Sequence, residues 1–202
     1  MEFLDSHILF MIVVLPLLGA MTLIVVPSVR VKLIKQIVLA LSSVVMLCCL
    51  YVFVFYFAES DGFRFSNSWN WLELPGSWAM GELGISLSFG VDGMAVMMIL
   101  LTGIVMFTGA IISCNISSWN KDFFILYLLL LSGVFGVFAT LDLFFFFFFY
   151  ELSVVPMYLL IGVWGSSSKF KTFSRTKEYG AMKLTLYLVA GSVLIWIGLI
   201  AI

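Results

Sequence analysis

Six apolar runs, each about the length that crosses a bilayer, leave this chain few ways to fold. The first covers Ile8 to Val26, with Pro16 inside, and the second Gln36 to Phe57. The third follows Asp92 and ends near Ser113, and the fourth runs from Phe123 to Ala139. The fifth extends from Asp142 to Trp164 and the sixth from Tyr179 to Ile202. A helix needs about 20 apolar residues to span a hydrocarbon layer ~30 Å thick, and it closes its backbone hydrogen bonds within itself. Barrel strands instead alternate over about ten residues, whereas these runs are continuous. Only Thr140-Leu141-Asp142 divides the fourth run from the fifth, yet together they are about twice one crossing, so a turn is required there. Asp142 is placed to cap the fifth helix and Asp92 the third. The expected fold is an all-α polytopic membrane protein, a single membrane domain over residues 1–202 with an extramembrane loop at 58–90.

Composition excludes several functions. With 63% hydrophobic and 10% charged residues, the chain departs far from the roughly 25% charged content of soluble domains. A net charge of −1 and few basic residues argue against a nucleic-acid partner. Cys48, Cys49 and Cys114 form no CxxC or Cys/His spacing, and His7 is the lone histidine. A metal, iron–sulfur or His-ligated haem site is therefore not expected, nor is a dinucleotide fingerprint present among the scattered glycines. Glu2 and Asp5 stand where a secretory signal would carry basic residues.

Loop charge gives an orientation. Arg30, Lys32, Lys35, Lys121, Lys169, Lys171, Arg175 and Lys177 fall on one side, against Arg64 alone on the other. The positive-inside rule then puts the N-terminus outside. In the 58–90 loop, Trp69, Trp71 and Trp78 suit an interfacial belt, and Ile85, Leu87 and Phe89 alternate like a short strand.

Glu151 is the only charge from Leu143 to Trp164. At 1.5 Å per residue it lies about 13 Å into the fifth helix, near the bilayer midplane. A carboxylate there costs roughly 2.5–3.5 kcal/mol on insertion scales, and intramembrane acids mark ion or proton paths. Its helical neighbours Phe147, Phe148, Val154, Val155 and Tyr158 are mostly apolar, so poor hydration works against the charged form. A carrier needs that, together with a movable cation that restores the charge. The competing reading is a structural carboxyl, protonated and hydrogen-bonded to another helix. Pro156, five residues on, is either a tolerated membrane proline or a kink that frees a carbonyl near the acid. Lys183, a few residues into the sixth run, either snorkels to the headgroups or serves as a relay with Tyr187 and Gly191 beside it. Gly133 and Gly136 are read as helix-contact positions, and Phe144 to Phe149 as packing or lipid-facing surface.

The segments GVDGM (Gly90–Met94), TLDLFFFFFFYELSVVPMYLLIGVWG (Thr140–Gly165) and EYGAMKLTLYLVAGS (Glu178–Ser192) resemble the antiporter-like subunit M of bacterial NADH-quinone oxidoreductase, respiratory complex I. The mitochondrial counterpart is NADH dehydrogenase subunit 4. The resemblance covers essentially the whole chain, with weaker likeness to multisubunit cation/proton antiporter subunits and to energy-converting hydrogenase membrane subunits. It implies a role in proton translocation, with the fifth-span glutamate matching Glu151 as proton carrier, paired with a lysine on a seventh span. Lys183 matches a lysine found in many bacterial members. Flavin and iron–sulfur clusters, and the quinone, would be held by partner subunits, and the lipid bilayer and other membrane-arm subunits would surround this one. The implied location is the bacterial inner membrane, or the mitochondrial inner membrane as the alternative. Family members have about fourteen helices built around inverted repeats, so these six correspond to the first part. A non-transporting membrane scaffold is the reading from another class.

Overall fold

The structure, a computed structural model, describes residues 2–58, 64–73, 84–116, 119–169 and 174–201. Trp78 and Lys171 lie outside the described residues, as does part of the loop expected at 58–90. Six long helices carry the chain: α1 (Glu2–Val25), α2 (Val31–Ala58), α3 (Gly93–Ser113), α4 (Asn120–Ala139), α5 (Leu143–Trp164) and α6 (Lys177–Ala201). All six are long and apolar enough to cross a membrane, which makes this a multi-pass membrane protein. The helices run a few residues past the apolar runs at several ends. Lys32 and Lys35 thus lie within α2, Lys121 within α4 and Lys177 at the start of α6. A helix does not have to end where the hydrocarbon does, because its polar first turn is solvated at the interface.

The two aspartates act as the sequence suggests. Asp92 accepts from the Ala95 amide at 2.7 Å and opens α3. Asp142 accepts from Phe144 at 2.8 Å and Phe145 at 3.2 Å and opens α5. Each satisfies first-turn donors that have no intrahelical partner.

Between α2 and α3 the chain forms an antiparallel hairpin, β1 (Arg64–Glu73) with β2 (Gly84–Val91), in the register Asn67 to Phe89 and Trp69 to Leu87. Only the second of these strands was legible as an alternating pattern. A small second hairpin, β3 (Ser168–Lys169) with β4 (Ser174–Arg175), joins α5 to α6. The larger hairpin folds back over one end of the bundle. Trp69 sits against Phe10 of α1 at a ring separation of 5.2 Å, and Phe89 is buried. The Leu141 amide donates to Ser88 O at 2.9 Å and the Thr140 hydroxyl to the same oxygen at 3.3 Å, so the hairpin fixes the α4–α5 turn.

Helix α4 is the hub. It packs on α1 and α5 most extensively, and also on α3 and α2, while α2 lies along α3. Buried Ser132 donates to Val13 O at 2.8 Å, one turn before Pro16 of α1. Tyr127 donates to Met106 O at 2.8 Å, joining α4 to α3. The outermost helix, α6, packs on α5.

Candidate functional site

The depth and facing of Glu151 follow from how α5 is seated. Its start is held by the Asp142 cap and the hairpin bonds to Leu141 and Thr140. Its flank is held by two glycines of α4. A side chain at Gly133 would come within 3.0 Å of Phe149 O and Ser153 Cβ, and one at Gly136 would overlap the Phe149 ring. Both glycines therefore serve close helix approach. Phe149, Ser153 and Pro156 are buried on this side.

At 100° per residue, that seam puts Glu151 on roughly the opposite face of α5. The residue is half-buried; of its helical neighbours Phe148, Val155 and Tyr158 are exposed, whereas Val154 is buried. Among the described residues, no hydrogen bond or ion pair to Glu151 is formed. The acid thus sits on the side of α5 that α4 leaves open, in apolar company supplied by its own helix. Phe147, on the same side, reaches Trp196 of α6 with ring centroids 5.0 Å apart. Tyr150 donates across to Leu188 O at 3.4 Å, and Gly191 lets the phenol close in, its absent side chain lying 4.0 Å from that oxygen.

Lys183 lies on an exposed part of α6, six positions beyond the helix start, with its ammonium 5.9 Å from the Tyr187 ring centre. Tyr187 is exposed as well. The structure does not bring Lys183 and Glu151 into an ion pair among the described residues, and the relay face expected from Lys183, Tyr187 and Gly191 divides in two. Gly191 turns toward α5 and Tyr150, whereas Lys183 and Tyr187 turn outward. Pro156 sits inside a continuous α5 and has no amide to offer the carbonyl of Leu152, the residue next to Glu151. Of the phenylalanine run, Phe149 is core and Phe148 is exposed, so the run divides between packing and open surface. Among the described residues, no three His, Cys, Asp or Glu side chains gather as a metal-binding group.

Three lysine contacts escaped sequence reasoning. Lys35 donates to Cys114 O at 2.5 Å, Lys121 to Ile24 O at 2.8 Å, and Lys177 to Val163 O at 2.5 Å. In sequence these residues registered only as loop charge. The signal available was their place in the first turn or two of a helix, where a cation is out of keeping with its own helix dipole.

No family model matches this chain. Curated relatives do. It is 30% identical over 193 residues to the NADH-ubiquinone oxidoreductase chain 4 of Chondrus crispus, spanning 93% of this chain and 35% of the relative. It is 33% identical over 190 residues to an NAD(P)H-quinone oxidoreductase chain 4 of Thermosynechococcus vestitus, spanning 94% of this chain and 33% of the relative. The chain therefore covers about a third of the length of the relatives it matches, in their N-terminal part. In fold it is similar to a chain of the archaeal membrane-bound sulfane sulfur reductase, a respiratory membrane complex, with a TM-score of 0.67 and 20% identity. That match covers 95% of this chain and 36% of the other. The likeness to the chain 4 subunits thus runs through nearly all of the sequence.

Proposed function

We propose that this chain forms the N-terminal portion of a proton-translocating membrane-arm subunit of an NADH:quinone oxidoreductase, with Glu151 as the proton carrier. The observation that carries the reading is a lone, half-buried carboxyl about 13 Å into a helix long and apolar enough to span a bilayer, on the side of that helix that α4 leaves open. Sequence likeness to the chain 4 subunits supplies the assembly. The N-terminus would then face outside. The membrane would be the bacterial inner membrane, or the mitochondrial inner membrane as the alternative.

In this mechanism Glu151 is switched by a cation that approaches from the side α4 leaves open. The carboxyl then releases its proton, and it is reloaded when the cation withdraws. Driving energy comes from electron transfer in partner subunits, which hold the flavin, the iron–sulfur clusters and the quinone. The redox centres are elsewhere. Lys183, on the outward face of α6, would be a relay on the same path.

Glu151→Gln keeps size and hydrogen bonding but removes titration. In the assembled complex it is expected to cut proton translocation at least about tenfold while assembly survives. Normal pumping by the substituted complex would defeat the carrier assignment and leave the scaffold reading. Copurification with flavin and iron–sulfur subunits separates this reading from a cation/proton antiporter, which has no redox partner.

A further inference from the structure

Three of the basic residues on the lysine-rich side of the bundle do more than set loop charge. Lys35 is in the second turn of α2, Lys121 in the first turn of α4, and Lys177 at the first residue of α6. Each spends its ammonium on a carbonyl at the far end of a different helix. Lys35 takes Cys114 O at the end of α3, Lys121 takes Ile24 O at the end of α1, and Lys177 takes Val163 O at the end of α5. All six helices take part, each once: three as donors at their starts and three as acceptors at their ends. The last four carbonyls of a helix have no intrahelical donor and carry the negative end of its dipole. A lysine in the first turn of its own helix is unfavourable to that helix's dipole, so its position is explained by the neighbour it reaches.

We propose that Lys35, Lys121 and Lys177 are interhelical staples that pair α2 with α3, α4 with α1, and α6 with α5 at one end of the bundle. This rests on hydrogen-bond geometry and stands apart from any role of Glu151. The α5–α6 staple matters most. The pair α1–α4 has the buried Ser132 bond to Val13 O at 2.8 Å as well, whereas the Tyr150 bond from α5 to Leu188 O of α6 is longer, at 3.4 Å. Lys177 is therefore a positioning residue for α6 against the helix that bears Glu151. Lys32 gives an internal control: it is exposed one turn from Lys35 and donates to no carbonyl among the described residues.

Cysteines at Gly162 and Ala181 test the α5–α6 staple in the full chain within its native membrane complex. A Cβ at Gly162 would lie 3.9 Å from Ala181 Cβ, within disulfide range. Lys177→Met is expected to slow oxidative cross-linking of this pair about fivefold, while Lys177→Arg keeps the rate and Lys32→Met leaves it unchanged. A wild-type rate in Lys177→Met, or equal slowing in Lys32→Met, overturns the staple. If Lys177→Met does not accumulate, Lys35→Met and Lys35→Met/Gln36→Lys decide the matter. The second variant returns the charge to an exposed neighbour without the bond. An unfolding midpoint lowered equally in both supports the staple, and full recovery in the double variant shows that only loop charge counts.

Discussion

Helices α4 and α6 are close in length and both apolar, yet the bundle treats them differently. The apolar window of α4 is 44% buried and that of α6 only 11%. Hydropathy alone does not decide it: the apolar stretch of α2 has a mean hydropathy of 2.7 against 2.1 for α4, yet is only 28% buried. In lipid the tails are as apolar as leucine, so packing depends on close approach and on hydrogen bonds between helices. Helix α4 has both. Gly133 and Gly136 receive Phe149 and Ser153 of α5, while Ser132 and Tyr127 reach carbonyls of α1 and α3. Two of the three glycines of α6 are empty by comparison: a side chain at Gly180 or Gly198 would meet nothing within 4 Å. The same residue type marks a filled notch in one helix and open surface in the other. Glu151 lies on the boundary, on the helix that joins the two.

If that contrast is real, substitutions should divide along it. The largest effect is expected at Phe135, which is fully buried in α4. Phe135→Ala should cost about 3 kcal/mol, because the surrounding helices close only partly over the cavity. Unfolding of the full chain in mild detergent measures it, and a cost near zero would mean that the hub is not α4. Gly136→Ala comes next, at about 1–3 kcal/mol, since the added methyl overlaps the Phe149 ring and the ring must turn out of its seat. The companion change Phe149→Leu should recover part of the loss. Without that recovery, the damage does not come from the α4–α5 seam.

Much of this contrast could not be read from the sequence. The six spans were legible because length and continuous hydropathy decide whether a segment crosses, and Asp92 and Asp142 marked helix starts through the chemistry of a cap. The β1 strand was not legible. In its residues RFSNSWNWLE the alternation is broken by polar Asn67 and by the adjacent Trp71 and Leu72, and its pairing depends on β2 and on Trp69 meeting Phe10. Gly133 and Gly136 were recognised as contact positions, but Gly180 and Gly198 look the same in sequence, since only a partner's ring separates a notch from a gap. Glu151 was conspicuous as a charge in an apolar run. Its facing was not, because the face of α5 is set by where Phe149 and Ser153 lodge in α4. Lys183 and Gly191 shared one proposed face and were separated for the same reason: α6 is turned by its contacts with Tyr150 and Phe147 of α5.

The smallest effect is the most discriminating. Gly198 lies in α6, where a side chain would meet nothing within 4 Å. With no neighbour to strike, an added methyl acts only on the backbone, and alanine favours a helix over glycine by roughly 0.8–1.0 kcal/mol in water. A membrane already enforces helix, so Gly198→Ala is expected to stabilise the isolated chain by a few tenths of a kcal/mol, opposite in sign to Gly136→Ala. Paired unfolding measurements on the two alanine variants read that sign directly. Destabilisation by Gly198→Ala in the isolated chain would mean that α6 packs against more than α5, and the contrast with α4 would fail. A different pattern would sharpen it. If Gly198→Ala is harmless in the chain alone but weakens its retention in the assembled membrane complex, the open side of α6 is covered by protein there. The face of α5 beside Glu151 that α4 leaves open would then border an interior surface of the assembly, where the proposed carrier role requires that carboxyl to lie.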